Sequence, residues 1–269
     1  MISWIGGKSR ISKWIIPFIP KDIKTYVEPM SGAFWVYLKM KLDDYPNLKN
    51  IVYNDFNDYL VNLFMCCKNH KEFYEYLQNY ESQNKVLFYQ YQKDLFEIKK
   101  EYKMPNFENA MKFSYLTSQV WSGISPSNGQ YIDLKGKYKS KFDTFKDKLV
   151  NKTYTQKLEK INIFENLDFQ KVIEKYDDEK SFFYIDCPYF STEHYYSNGS
   201  FTKEDHERLT VCLKKIKGTF AMSYYDFPQL SEWYPKNQYH WESKNFAKAS
   251  MAKSGMKQTT GTELLIMNY

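Results

Sequence analysis

The sequence predicts an α/β fold with a mainly parallel sheet, and three observations carry that reading. Short apolar runs alternate with amphipathic stretches from the start to about Lys68, the order in which strand, helix and strand build parallel pairs. Phe182-Phe183-Tyr184-Ile185 is almost wholly apolar, as a strand covered on both faces must be. The alternation resumes near Ile161 after a middle segment that lacks it, so an insertion interrupts the α/β pattern.

Ile11, Trp14, Ile15 and Phe18 recur at helical spacing, and Pro17 and Pro20 mark the stop. Tyr26-Val27 reads as a strand ended by Glu28-Pro29, because proline cannot continue a central ladder. A helix over Ala33 to Met40 follows, then the strand Ile51-Val52-Tyr53 closing on Asn54-Asp55, then a helix burying Leu60, Leu63, Phe64 and Cys67. In the middle segment Phe88, Tyr91, Leu95, Ile98 and Tyr102 fit one helical face, with no strand alternation. A Gly-, Pro- and Ser-bearing loop, Trp121 to Gly129, and a lysine-rich run, Lys135 to Lys148, follow. Ile161 to Phe164, Phe182 to Ile185, Thr219 to Ser223 and Leu264 to Met267 are the later strands. Thr202 and Asp205 have capping-box spacing before a helix that buries Leu209, Leu213 and Ile216. Ala247 to Gly261 reads as a loop. The expected organisation is a core of residues 1–68 and 153–269 split by a helical subdomain, residues 69–152.

Composition narrows the function classes. The 269 residues are 43% hydrophobic and 26% charged, ordinary for a folded globular chain. A net charge of +6 is compatible with a polyanionic partner. Cys66, Cys67, Cys187 and Cys212 have no C-x-x-C spacing and the four histidines are scattered, which argues against metal and disulfide frameworks. No apolar run approaches the roughly 18 residues of a membrane span, and the N-terminus lacks a secretory apolar region. The expectation is a cytoplasmic protein with neither metal nor membrane partner. The excess of Tyr, Phe and Trp reflects either rings exposed for stacking or the codon usage of an AT-rich gene.

Open α/β sheets bind ligands at the carboxyl ends of their strands. Three such turns bear acids or glycine: Glu28-Pro29-Met30-Ser31-Gly32-Ala33, Asp55, and Asp186-Cys187-Pro188-Tyr189. Gly32 lets backbone approach a ligand closely, and Asp55 is placed to accept ribose hydroxyls.

With Trp4-Ile5-Gly6-Gly7-Lys8, these turns carry a resemblance. The sequence resembles the DNA adenine methylase family, which has W-x-G-G-K, an E/D-P-F-x-G-x-G turn, an acidic residue and later D-P-P-Y, in this order. Asn198 to Thr202 (N-G-S-F-T) and Thr262 to Leu265 (T-E-L-L) also match, so the resemblance covers nearly the whole chain.

The resemblance implies a Rossmann-like S-adenosylmethionine-dependent methyltransferase core with an inserted, mainly helical target-recognition subdomain. The cofactor would be S-adenosyl-L-methionine, held by Trp4, Gly7, Lys8, Glu28, Pro29, Gly32, Asp55 and Asp186. The partner would be double-stranded DNA. Trp121, Ser125 and Asn128 would belong to the recognition region, Lys135, Lys137, Lys139 and Lys141 would contact phosphates, and Lys248, Lys253 and Lys257 would form a second backbone clamp. Asp186, Cys187, Pro188 and Tyr189 would hold a flipped adenine. Chemistry supports that tetrad independently: the adenine amino lone pair is delocalised into the ring, so the group becomes nucleophilic only when acceptors draw its hydrogens toward tetrahedral geometry. The Asp186 carboxylate and the Cys187 carbonyl supply two acceptors, Pro188 stiffens the turn, and Tyr189 stacks on the base.

Three departures stand out: Cys187 where the family has its first proline, Phe34 at the last glycine of the turn, and Met30 at its aromatic. The role at 187 is a main-chain carbonyl, so activity is expected to survive; Met30 and Phe34 are expected to reshape the cofactor pocket. Cytosine carbon-5 chemistry through Cys187 lacks its Pro-Cys order, and a thiol beside a carboxylate is harder to ionise. The rival readings are an N4-cytosine methyltransferase and an inactive DNA-binding relative.

Overall fold

The computed structural model describes residues 1–96, 104–121, 126–133, 139–190, 201–247 and 260–269. Its strands are β1 (Thr25–Glu28), β2 (Asn50–Asn54), β3 (Ile163–Glu165), β4 (Ser181–Ile185), β5 (Thr219–Tyr224), β6 (His240–Ala247) and β7 (Thr260–Met267). They form one seven-stranded sheet in the order β3-β2-β1-β4-β5-β7-β6. β1 pairs in parallel with β2 and β4, β2 with β3 and β4 with β5; only β7 runs antiparallel to its neighbours. The chain builds outward from β1 to β3, then returns to lay β4 on the other side of β1. That reversal opens a crevice at the carboxyl ends of β1 and β4, where ligands bind in such sheets.

The apolar strands alternate between two cores, as a period of two requires. Tyr26, Tyr53, Phe182, Ala221 and Leu265 face one buried cluster, and their neighbours Val27, Val52, Phe183, Phe220 and Ile266 face the other. The second cluster is covered by α9 (Phe169–Tyr176), α10 (Lys203–Leu213) and α11 (Leu230–Trp233). The first is covered by α1 (Ser12–Ile15), α2 (Trp35–Lys39), α3 (Asp58–Lys68), α4 (His70–Leu77), α5 (Lys85–Phe96), α6 (Phe107–Gln119), α7 (Lys141–Val150) and α8 (Lys152–Lys160). Phe73, Phe88, Phe113 and Phe145 of the middle segment belong to the same buried cluster as Tyr26 and Phe64. The described part of 69–152 is therefore helical, as its pattern predicts, and its core is continuous with that face of the sheet.

Local signals set many of the boundaries. The Thr202 hydroxyl accepts from the Asp205 N–H while the Asp205 carboxylate accepts from the Thr202 N–H, the reciprocal box expected ahead of α10. The Asn57 side chain caps α3 and that of Asn106 caps α6. Pro17 does not break the first helix; it lies in a 3-10 turn, Ile16–Phe18, that continues α1. The third strand starts two residues later than its apolar run suggests, because Ile161 closes α8 and the Asn162 side-chain Oδ1 accepts the Ile51 N–H at 2.8 Å. β6 escaped the pattern altogether. It is an edge strand of mixed polarity, ordered by pairing with β7 from His240 to Ala247; of the loop expected over Ala247 to Gly261, Ala247, Thr260 and Gly261 are strand residues and 248–259 lie outside the described residues. Ile98 and Tyr102 also lie outside them.

α2 starts two residues late for a physical reason. Phe34 has φ 57° and ψ 34°, the left-handed region, directly before the helix. The backbone geometry that favours glycine is thus retained, at a cost of about 1–2 kcal/mol for a residue with a Cβ. The ring offsets that cost: it is fully buried, 4.7 Å from the Tyr37 ring and 5.0 Å from the Tyr53 ring. Restoring the glycine therefore destabilises the fold. Phe34→Gly is expected to lower unfolding stability by about 2–4 kcal/mol, the loss of a buried phenylalanine reduced by relief of the strained backbone; equal urea midpoints for the variant and the parent protein would contradict this.

Candidate active site

The crevice widens into a cavity of about 850 Å³, within the usual range for small-molecule sites. Its floor is made by the turns after β1 and β2, stitched together by backbone and short side chains. The Ser31 hydroxyl donates to the Glu28 carbonyl at 2.7 Å, the Asn54 side-chain amide donates to the Pro29 carbonyl at 2.6 Å, and the Ser31 N–H donates to the Asn54 carbonyl at 2.8 Å. Asp55 joins the two turns, accepting the Gly32 N–H at 2.8 Å and the Asn57 N–H at 2.9 Å. Burial raises the Asp55 carboxyl to about 6, against the lowering effect of these amides.

Gly32 is required from behind. Its φ is +49°, and a Cβ there would lie 3.0 Å from Cδ1 of Trp4. A Cβ on Gly7 would lie 3.0 Å from the Trp4 carbonyl oxygen and 3.3 Å from the Trp35 ring. Trp4, whose ring centroid is 5.9 Å from that of Phe113, therefore packs the N-terminal segment against the turn as well as lining the cavity.

Glu28 ends β1 and is almost fully buried at 2% exposure. Its Oε1 accepts the Tyr26 hydroxyl at 2.6 Å and the Tyr37 N–H at 3.3 Å. Burial dominates these bonds and lifts its carboxyl to about 8. Asp186 follows β4, and its Oδ1 lies 2.6 Å from the Lys8 ammonium. Burial raises this carboxyl to about 6, with Lys8 opposing. Cys187 is buried, and burial followed by the adjacent Asp186 charge pushes its thiol up to about 12, the inert state expected for it.

Tyr189 is buried at 8% exposure. Its ring stacks on that of Tyr224 at 5.3 Å, the Lys8 ammonium lies 4.8 Å from its centroid, and its hydroxyl donates to Glu263 at 2.5 Å. Glu263, on β7, is 2% exposed and 3.5 Å from Lys8. Sequence reasoning placed Glu263 only within a matching stretch; a lone acid leading into the apolar run Leu264 to Met267 was the available signal.

Of the residues expected at a cofactor, Trp4, Gly7, Lys8, Glu28, Gly32, Asp55 and Asp186 line the one cavity. Pro29 is buried in the turn and, like Cys187 and Tyr189, is not among the lining residues. Asp58, Phe56 and Phe113 line it and were not anticipated. Among the described residues four carboxyls, Glu28, Asp55, Asp58 and Asp186, face it against one ammonium, Lys8, a lining that suits a cationic ligand bearing hydroxyl donors. Asn128 is exposed at the cavity edge, where Gln92 donates to the carbonyls of Pro126 and Gly129 at 2.8 and 3.0 Å. Trp121 is 66% exposed. Lys139 is paired with Asp147 at 2.6 Å, and Lys141 opens α7. Ser125, Lys135, Lys137, Lys248, Lys253 and Lys257 lie outside the described residues. Among the described residues no group of three His, Cys, Asp or Glu side chains could hold a metal, and no helix is long and apolar enough to cross a membrane.

Because Glu28 binds its proton more tightly folded than unfolded, it makes the fold less stable as pH rises from about 4.5 to about 8. Glu28→Gln, neutral throughout, is expected to flatten the fall of the thermal midpoint over that window; an unchanged slope would show that Glu28 titrates normally.

Acidic turns after β1, β2 and β4, closed from one side by the W-x-G-G-K segment, match a known arrangement along the sequence. The family model for D12 class N6 adenine-specific DNA methyltransferases matches residues 4–247. The chain is 27% identical over 276 residues to the type II methyltransferase M.CviBI of Paramecium bursaria Chlorella virus NC1A, with all of this chain and 99% of that protein covered. It is also 27% identical over 295 residues to the type II methyltransferase M.MjaIII of Methanocaldococcus jannaschii, covering all of this chain and 98% of that protein. Matched from the Trp4 turn through the D-C-P-Y tetrad and on to β6, the chain belongs to the D12 class of N6 adenine-specific DNA methyltransferases.

Proposed function

We propose that this methyltransferase uses S-adenosylmethionine and acts on adenine flipped out of double-stranded DNA at a specific site, as befits a chain similar to type II methyltransferases over its full length. One observation carries the reading: the carboxyl groups at the ends of β1, β2 and β4 converge on one cavity, with Asp186 at its inner wall.

S-adenosylmethionine, when bound, supplies an electrophilic methyl on a cationic sulfur. Glu28, Asp55 and Asp58 complement that charge, and Asp55, Gly32 and Trp4 shape the sugar end of the pocket. The Asp186 carboxylate and the Cys187 carbonyl accept the two amino hydrogens of adenine, localising its lone pair toward the methyl. Fixed acceptors do this without reorganising at the moment of transfer, and holding both reactants in line supplies much of the remaining acceleration. Asn128, Trp121 and the lysines of residues 135–141 approach the duplex from the helical segment 69–152, the target-recognition part in this reading. Lys248, Lys253 and Lys257 are further phosphate contacts in the same reading.

Labelled methyl transferred to unmethylated DNA, recovered after digestion to nucleosides, is expected in N6-methyladenosine. Asp186→Ala is expected to lose at least about a hundredfold in rate, the cost of one preorganised polar group. Label in a methylcytosine, or equal label in the variant, would refute the assignment. The single-turnover rate is expected to fall as pH drops through about 6, because protonation of Asp186 removes acceptor capacity; a flat profile from pH 5 to 8 would remove Asp186 from that role. Cys187→Pro and Cys187→Ser are expected to keep activity within a few-fold, since each preserves the carbonyl; loss in both would give the thiol a role.

A further inference from the structure

Lys8 occupies the place that a target base needs. Its ammonium is 2.6 Å from Asp186 Oδ1 and 4.8 Å from the centroid of the Tyr189 ring, so it engages both the acceptor and the aromatic face assigned to adenine. It also donates to the Gly6 carbonyl at 3.0 Å and lies 3.5 Å from Glu263. Lys8 is 7% exposed and Glu263 2% exposed. A cation this deeply buried cannot be released from a carboxylate without a second partner, because an unpaired buried charge is strongly disfavoured.

We propose that Glu263 is a positioning residue that receives the Lys8 ammonium when the target adenine takes over Asp186. This rests on the methyltransferase reading above. The move is short, from a pair at 2.6 Å to one at 3.5 Å in the same cluster, and needs no change of strand or helix. Glu263 is held ready for it: β7 pairs it with Lys244 of β6, next to Leu264, which pairs with Tyr224 of β5, and the Tyr189 hydroxyl donates to its Oε1 at 2.5 Å. The lysine stays neutralised throughout, and Asp186 is freed to accept the amino hydrogens of the base. A negative charge at Glu263 has a second effect. It opposes ionisation of Asp186, alongside burial, while Lys8 and the Tyr189 hydroxyl favour it. Glu28, Cys187, Tyr184 and Tyr225 are the other titratable groups electrostatically coupled to Asp186.

Glu263→Gln tests this, because the amide still accepts from Tyr189 but cannot neutralise Lys8. The variant is expected to bind DNA as the parent protein does and to lose about tenfold or more in single-turnover rate. The acid limb of its pH profile is expected to move down by about one unit, as removal of a neighbouring like charge requires. Glu263→Asp, which restores the charge one methylene short, is expected to return the limb toward its parental position with a rate between the two. A merely structural role would lower the thermal midpoint and leave the limb in place. Parental rate and parental limb in folded Glu263→Gln would overturn the proposal. Should that variant not fold, Glu263→Asp decides: an unchanged rate, or a reduced rate with a lowered thermal midpoint, overturns the proposal, and a reduced rate at the parental thermal midpoint supports it. If the parent protein itself transfers no methyl to DNA, the methyltransferase reading fails instead.

Discussion

Lys8 carries its charge to a buried position beside the cavity, and the rest of the site is arranged around that fact. An ammonium at 7% exposure is tolerable only if carboxylates and carbonyls surround it, and here they come from three distant parts of the chain: Gly6, Asp186 after β4 and Glu263 on β7. The pairing therefore holds the N-terminal segment against the sheet. Once that segment is fixed, Trp4 closes on Gly32 and Phe113, and the wall of the cavity is complete. The same cation links the two halves of the chemistry, because the W-x-G-G-K turn lines the cavity and its lysine pairs with Asp186 and lies against the Tyr189 ring.

The departures from the family pattern are absorbed by different physical means. At 34 the backbone keeps the left-handed conformation that a glycine would take, and the side chain that should be a burden fills the aromatic cluster of Tyr26, Tyr37, Tyr53 and Phe64. At 187 the lost proline ring would have limited the backbone before Pro188. Cys187 is buried, its thiol kept protonated by that burial and then by the Asp186 charge, and it provides packing in place of the ring. At 34 the quantity preserved is a main-chain geometry, which is why a large ring can stand where the family has its smallest residue.

The sheet was legible where burial on both faces forces a continuous apolar run, as at Phe182 to Ile185, and where turn chemistry stops a strand, as at Glu28-Pro29. It was not legible at β6, whose residues carry no apolar face and whose order comes from pairing with a strand that begins twelve residues beyond its end. The cavity was legible through its acids, since Glu28, Asp55 and Asp186 each end an apolar run. Glu263 was not, because its importance comes from a partner more than two hundred residues away. Phe113 was hidden for a related reason: on a helix, a ring that packs against Trp4 has the same periodicity as one that packs anywhere else in the core.

The acidity of the cavity follows from burial as well. Glu28 at about 8 and Asp55 and Asp186 at about 6 are raised chiefly because burial disfavours their charged forms. At neutral pH, Glu28 thus holds its proton while Asp55 and Asp186 are largely ionised. Entry of any cationic ligand reverses the balance at Glu28, since a positive charge nearby favours the carboxylate. Binding of a cation is then coupled to proton release, and the coupling vanishes for a neutral ligand of the same shape. A site assembled from carboxyls whose charged forms burial disfavours discriminates by charge before it discriminates by contact, and favours a cation over a neutral ligand of the same shape.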